Sequence, residues 1–416
     1  MKTKTTSLLL LVLTPVLLFA QNESDPIVEF FDPIEGGNGK VILNARLRYE
    51  TVEQDGIAEE ADALTVRTRL GYQLKAGEGL SFLAEGEFIQ AIIDDYNGAG
   101  RNPDTLQFPI IADPEEAELN RLWVAFNNDS TSAKVGRQLL TFDDHRWVGH
   151  VGWRQNIQTM DSVFLSQKVS EKVKASYAYV DRVNRIFGDK GENGGGPTGV
   201  FNSQSHLLNV NVGTSAGNLA LFGYLVELDN AQALSSNTFG ARFSGKFMLE
   251  DGYYGNAYSV SIARQSDYGN NPVDYDAWYV ALDYSILRGP SVFGAGWEML
   301  GSDDGKQAVS SPLATLHKFN GFADVFLSTP AAGLKDLYFY VGHKFQVGKG
   351  LSTKIIYHMF ESDVGGTDLG SEIDFVASYP IRKYLSATLK YASYEKGDLG
   401  SAASRDKLWL QIDFAY

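Results

Sequence analysis

The chain has 416 residues, no cysteine, and 51 acidic against 36 basic side chains, a formal net charge of −15. The missing cysteines exclude a disulfide framework, a thiolate nucleophile, Cys-ligated zinc, an iron–sulfur cluster and a lipid anchor on cysteine. A pI near 4.9 leaves no basic footprint for nucleic acid. With 44% hydrophobic residues and a mean hydropathy of −0.18, the chain is too apolar for disorder and too polar for a helical membrane protein.

Met1–Lys4 gives a short basic start, Ser7 to Phe19 is almost entirely apolar, and Ala20 precedes polar Gln21-Asn22-Glu23. This pattern predicts a secretory signal peptide over 1–20, although Leu18 stands where a small residue is preferred. Residues 21–38 form a short periplasmic N-terminal segment, and 39–416 carry the rest of the pattern. From here the hydrophobic period is 2, not 3.6. Val41, Leu43, Ala45, Leu47 and Tyr49 oppose Asn44, Arg46, Arg48 and Glu50. Leu64, Val66, Thr68, Leu70 and Tyr72 oppose Thr65, Arg67 and Arg69; Leu122 and Val124 oppose Arg121. Further along, Val173, Ala175, Tyr177 and Tyr179 oppose Lys174, Ser176 and Arg182, and Phe239, Ala241, Phe243 and Phe247 oppose Arg242 and Lys246. The last such segment ends on Tyr416, in the manner of the terminal assembly signal of outer-membrane barrels.

About eighteen segments of this kind follow one another, with sixteen as the alternative. Their connections alternate between short turns, such as Lys75–Gly79 and Gly348–Gly350, and long loops, such as Leu140–Gln155 and Gly301–Leu334. Short periplasmic turns and long external loops are the rule in outer-membrane barrels. The expected fold is an all-β, transmembrane antiparallel β-barrel in the bacterial outer membrane, whose partners include outer-membrane lipid and the barrel assembly machinery. At this size a barrel encloses an aqueous lumen.

Arginines and lysines recur on the predicted inner face: Arg46, Arg48, Arg67, Arg69, Arg121, Lys174, Arg182, Arg242 and Lys246. They suit carboxylate contact. Acidic residues share that face (Glu50, Glu85, Glu87, Glu298, Glu372, Asp374, Asp413), so a salt-bridged lumen without anion preference is the competing expectation. His145 and His150 beside Asp143 and Asp144 offer a metal site or a solvated loop. Trp147 and Trp153 offer sugar stacking or loop packing. Gly194–Gly199 fits G-x-G-x-x-G, but Pro197 and the following strand pattern make it a loop.

Three stretches resemble the bacterial alginate export family. They are Gly136-Arg137-Gln138-Leu139-Leu140 continuing through Asp143-Asp144-His145-Arg146-Trp147 to Trp153-Arg154-Gln155-Asn156 and Asp161; Tyr177 to Gly188; and His317 to Tyr338. The resemblance implies a monomeric eighteen-stranded channel that passes an anionic linear polysaccharide, an alginate-like polyuronate, possessing periplasmic export components as partners and needing no cofactor or metal. It also implies that Arg137, Arg146, Arg154 and Arg182 touch polymer or fix an inward-folded loop. Arg137 shares the parity of lipid-facing Val135, so it needs a bulge at Gly136 or a place at the membrane rim. The alternative function is a general or sugar/anion-selective porin for small solutes. A barrel-embedded hydrolase and a surface anchor are further readings; no residues here form an enzyme's catalytic set.

Overall fold

The computed structural model describes residue 34 and residues 37–99, 103–188, 199–250, 252–397 and 402–416. The leader over 1–20, most of 21–38 and the glycine-rich loop at 194–198 lie outside them.

Eighteen antiparallel strands form one sheet. They are β1 (Gly39–Gln54), β2 (Ala61–Lys75), β3 (Leu80–Asp95), β4 (Glu116–Asn127), β5 (Thr131–Gln138), β6 (Thr159–Ser170), β7 (Val173–Asn184), β8 (Val200–Gly213) and β9 (Asn218–Val226). The second half contains β10 (Ser236–Met248), β11 (Tyr254–Asp267), β12 (Asp276–Arg288), β13 (Ser291–Leu300), β14 (Leu334–Phe345), β15 (Leu351–Glu361), β16 (Asp368–Arg382), β17 (Leu385–Glu395) and β18 (Arg405–Ala415). Each strand pairs with its sequence neighbour, and β18 closes onto β1 from Asn44↔Ala415 to Gln54↔Arg405. Closure satisfies the backbone groups that an open edge would leave bare in lipid.

The two faces separate as the period-2 pattern requires. Leu70, Phe82, Leu122, Val124, Phe239, Trp278, Ile286 and Phe339 are exposed on the outside, where lipid receives them. The inner face changes character along the barrel axis. Toward the long-loop ends large apolar side chains are buried, among them Met160, Val180, Phe201, Leu207, Phe222, Tyr224, Tyr279, Tyr394 and Trp409, alongside charged groups such as Glu50, Glu298, Asp336 and Glu372. The apolar groups pack against two long connections, L3 (139–158) and L7 (301–333), through Leu140, Phe142, Val148, Val309, Leu313 and Ala323. Toward the short-turn ends the inner face stays polar.

Bulges interrupt the alternation at several places, three of them in β3, β4 and β7. At Ile92 the β2–β3 pairing passes from Leu64↔Ile93 to Thr65↔Ala91. At Asn120 the β3–β4 pairing skips one residue. The third, at Asp181, moves a predicted lumen residue: Asp161 pairs with Arg182 while Ser162 pairs with Val180.

Candidate functional site

L3 and L7 cross the barrel interior and hydrogen-bond to each other. Gly149 N donates to Leu313 O at 2.8 Å, and Thr315 N donates to His145 O at 3.1 Å. The wall holds the two loops by opposite chemistry.

The β1–β2 wall holds L3 by its carbonyls. Arg46 Nη1 donates to the carbonyls of Gly152 (3.3 Å), Trp153 (2.9 Å) and Arg154 (3.2 Å), while its Nε meets Asp413 at 2.7 Å. Arg48 meets Asp113 at 3.1 Å and Gln411 at 2.9 Å, donates to Trp153 O, and lies 4.3 Å from the Trp153 ring centroid. Arg69 pairs with Glu87 and reaches Gln155 O at 3.2 Å. Arg67 donates to Asn44, is 1% exposed, and its Nε and Nη1 have no partner among the described residues.

The β13–β18 wall holds L7 largely by its N–H groups. Ala323 N donates to Glu372 at 2.7 Å and Phe322 N to Asp374 at 3.1 Å. Asn320 Nδ2 donates to Glu298 at 2.7 Å and Asp336 at 3.2 Å. Consecutive N–H groups can converge on carboxylates here because Asn320 (φ 55°), Gly321 (φ 86°) and Asp324 (φ 60°) adopt the left-handed conformation.

The two clamps meet at Asp324. It accepts from Arg154 of L3 at 2.7 Å, from Lys407 of β18 at 3.1 Å and pairs with His317 at 2.7 Å. Arg154 also meets Glu50 at 3.0 Å. Burial opposes ionisation of Asp324, yet His317, Lys407 and Arg154 together hold its carboxyl well below the usual carboxylate range. Burial likewise opposes the Arg154 charge, and Glu50, Asp324 and Asp113 outweigh it, raising its pKa. His317 stacks on Trp153 at 4.9 Å, and burial pushes its imidazole well below 6.5. Arg146 meets Glu298 at 2.9 Å and Asn320 at 3.3 Å.

A charge-assisted hydrogen bond contributes about 1.5–3 kcal/mol, and a buried large apolar side chain roughly the same. Neither kind of contact alone holds the loops. A single substitution therefore loosens the assembly without emptying the lumen.

Other sequence-predicted cations are also engaged. Arg121 pairs with Glu85 at 2.5 Å and Arg242 with Asp144 at 3.3 Å. Lys174 and Lys246 stand exposed near the short-turn ends of β7 and β10. Two assignments are corrected. Arg137 faces outward opposite exposed Leu122, bound to Asp161 at 2.8 Å, because no extra residue in β5 reverses its parity. Arg182 joins the same outer face as Asp161 and Asn202, because the Asp181 bulge flips it from the side of Lys174. Lys390 is legible from alternation as a lumen-facing lysine, whereas the roles of Asp113, His317, Asp324 and Lys407 are not, since their partners come from distant elements with no common period. Trp147 packs edge-on against Tyr279 at 5.1 Å, and no His/Asp/Glu group among the described residues is arranged to hold a metal ion.

Below the packed loops, polar space remains along the inner face of β6–β10. A polar cavity of about 330 Å³ lies beneath L3, between Asp143, Asp144, Arg242, Asn211, Asn218 and Ser244. It shares Asn211 and Asn218 with a cavity of about 760 Å³ at the short-turn mouth, where Lys168, Lys172 and Lys174 stand.

No known family model matches the sequence, and no curated protein is significantly similar to it. Solved structures do match the fold. OccK1 of Pseudomonas aeruginosa superposes with a TM-score of 0.69 at 14% identity, over 91% of this chain and 99% of its own. Acinetobacter baumannii OccAB2 gives 0.67 at 17% identity, over 91% and 98%. Pseudomonas aeruginosa OccD3 gives 0.65 at 13%, over 91% of each chain. These are outer-membrane porins with eighteen-stranded barrels. They overturn the resemblance to the alginate export family. The strings that carried it lie in β5–L3, β7 and L7–β14, where they build an outer-face ion pair and the two loop clamps, leaving most of their charges bound within the protein. The chain is an eighteen-stranded β-barrel of the bacterial outer membrane.

Proposed function

We propose that the protein is a diffusion channel for small polar solutes, selective by virtue of its folded-in loops. One observation carries this reading: L3 and L7 are clamped across the lumen, with a polar cavity of about 330 Å³ beneath L3 that shares residues with a larger one at the short-turn mouth. Cavities of ~300–1,000 Å³ suit small ligands. The porins it resembles in fold support the same reading, and one of them, OpdK, was solved with vanillate, a small molecule. The arginine-lined wall does not by itself confer anion preference, because loop carbonyls and carboxylates occupy most of its donors. The channel works as a monomer inserted by the barrel assembly machinery, without enzymatic turnover or cofactor.

The test is planar-bilayer conductance of the refolded chain in KCl. Discrete steps that small polar solutes reduce are expected. Absence of steps from protein whose heat-modifiable mobility shows a folded barrel would overturn the channel assignment.

A further inference from the structure

The cavity beneath L3 carries a balanced set of groups. Asp144 faces Arg242 at 3.3 Å, and Lys318 Nζ donates to Asp144 O at 2.7 Å. Asp143 accepts from Asn209 Nδ2 at 2.8 Å. Two carboxylates and the Arg242 guanidinium thus line the cavity, and the Lys318 ammonium adjoins it at the Asp144 backbone carbonyl. Below them runs a ladder of amides: Asn218 donates to Asn211 at 2.5 Å and Asn211 to Asn209 at 2.5 Å, with Asn209 ending on Asp143. The ladder spans β8 and β9 and reaches into the larger cavity at the mouth.

We propose that this cavity is the solute-selecting subsite of the pore and that it takes an uncharged polyhydroxylated solute, a sugar or sugar alcohol. The proposal deepens the channel reading and rests on it. A hydroxyl both donates and accepts, so it can donate to Asp143 or Asp144 while accepting from an amide or from Arg242. A carboxylate-bearing solute meets two carboxylates, and an ammonium-bearing one meets Arg242 and Lys318. Each charged class therefore encounters a like charge in a confined space, which discriminates against both. The amides below repeat the same donor–acceptor pair, and several weak sites in series let a solute enter without being trapped. Phe142 packs on Tyr224 next to the site, 5.9 Å between centroids, and the Tyr224 hydroxyl accepts from Asn209 Nδ2 at 3.2 Å, which ties the ladder to this packing.

The experiment uses the full-length barrel in liposomes and in bilayers. Osmotic swelling is measured with glucose and sorbitol, against gluconate and glucosamine as anionic and cationic counterparts of similar size. The neutral solutes should enter fastest. Losing a hydrogen-bonding group should lower the ratio of sugar flux to KCl conductance roughly three- to tenfold, and this is expected in Asn211→Leu. Asp144→Asn lies on L3 outside the barrel wall, so it tests the site if the wall variant fails to fold; the same direction is expected. An unchanged ratio in folded variants overturns the subsite, and faster entry of gluconate or glucosamine overturns the solute class. Absence of KCl conductance in the folded wild type overturns the channel reading itself, and the subsite with it.

Discussion

Arg154 and Asp324 join the two inward-folded loops across 2.7 Å, and both side chains are buried. Neither residue belongs to the barrel wall, yet each is also tied to it, Arg154 through Glu50 and Asp324 through Lys407. Removing one member of a buried pair costs up to about 3–5 kcal/mol, less here because Lys407 and His317 stay on Asp324. Arg154→Ala should therefore loosen L3 and L7 together. The readout is proteolysis of L3 and L7 in outer-membrane vesicles, together with single-channel conductance. Faster cleavage of both loops and larger, noisier steps are expected; cleavage confined to L3 would show that the loops are not coupled.

The arginines of β1 and β2 are structural before they are selective. Arg46→Gln removes the donor shared by three L3 carbonyls and the partner of Asp413. The expected result is a conductance increase, because about 2–3 kcal/mol of charge-assisted bonding to the loop is lost. A pure shift in reversal potential, at unchanged conductance, would return Arg46 to an ion-selecting role.

Arg137 and Arg182 face away from the lumen. Charge reversal at Arg182 should leave the reversal potential in a KCl gradient unchanged, whereas reversal at Arg242 should shift it. Equal shifts at the two positions would contradict the bulge at Asp181.

Closure of L7 should weaken in mild acid. His317 is packed between Asp324, Lys390, Trp153 and Phe322, and burial pushes its pKa well below 6.5. In the closed state it stays neutral; in a released loop it takes up a proton as pH falls through about 6.5. The released form therefore gains up to about 1.4 kcal/mol per pH unit below that point. Asp324 remains ionised over this range in both states, since its partners hold its pKa well below 3.8 when the loop is closed and a solvated Asp titrates near about 3.9. Burial raises the pKa of Asp143, so that residue acts in the opposite sense. The His317 share is the difference between wild type and His317→Gln. Conductance should rise from pH 7.5 to pH 5 more steeply in the wild type; identical profiles would remove His317 from the latch.

Gly321 has φ 86°, and a Cβ there would lie 2.3 Å from Glu372 Oε2. Gly321→Ala should thus displace the carboxylate that holds Ala323 N and release the L7 tip, at a cost of roughly 1 kcal/mol or more. Increased hydrogen exchange at Phe322 and Ala323 is the measurement, and unchanged protection would count against the clamp.

Period-2 alternation determines the barrel by itself: Leu122 and Val124 out and Arg121 in, Leu70 and Tyr72 out and Arg67 and Arg69 in, repeated through eighteen strands with short and long connections in strict alternation. Lipid outside and water inside admit only that arrangement for such a pattern. A bulge breaks the inference locally, since one inserted residue at Asp181 transfers Arg182 to the outer face without any mark in composition. The use of the inner charges was decided by tertiary structure alone. Whether Arg46 meets a solute or the carbonyl of Trp153 depends on where a loop a hundred residues away folds, and whether Asp324 is buried depends on Arg154 and Lys407 arriving from two other elements. Strand periodicity is local and repeats every two residues; the clamps join single residues from distant loops, so only the closed barrel brings them within bonding distance.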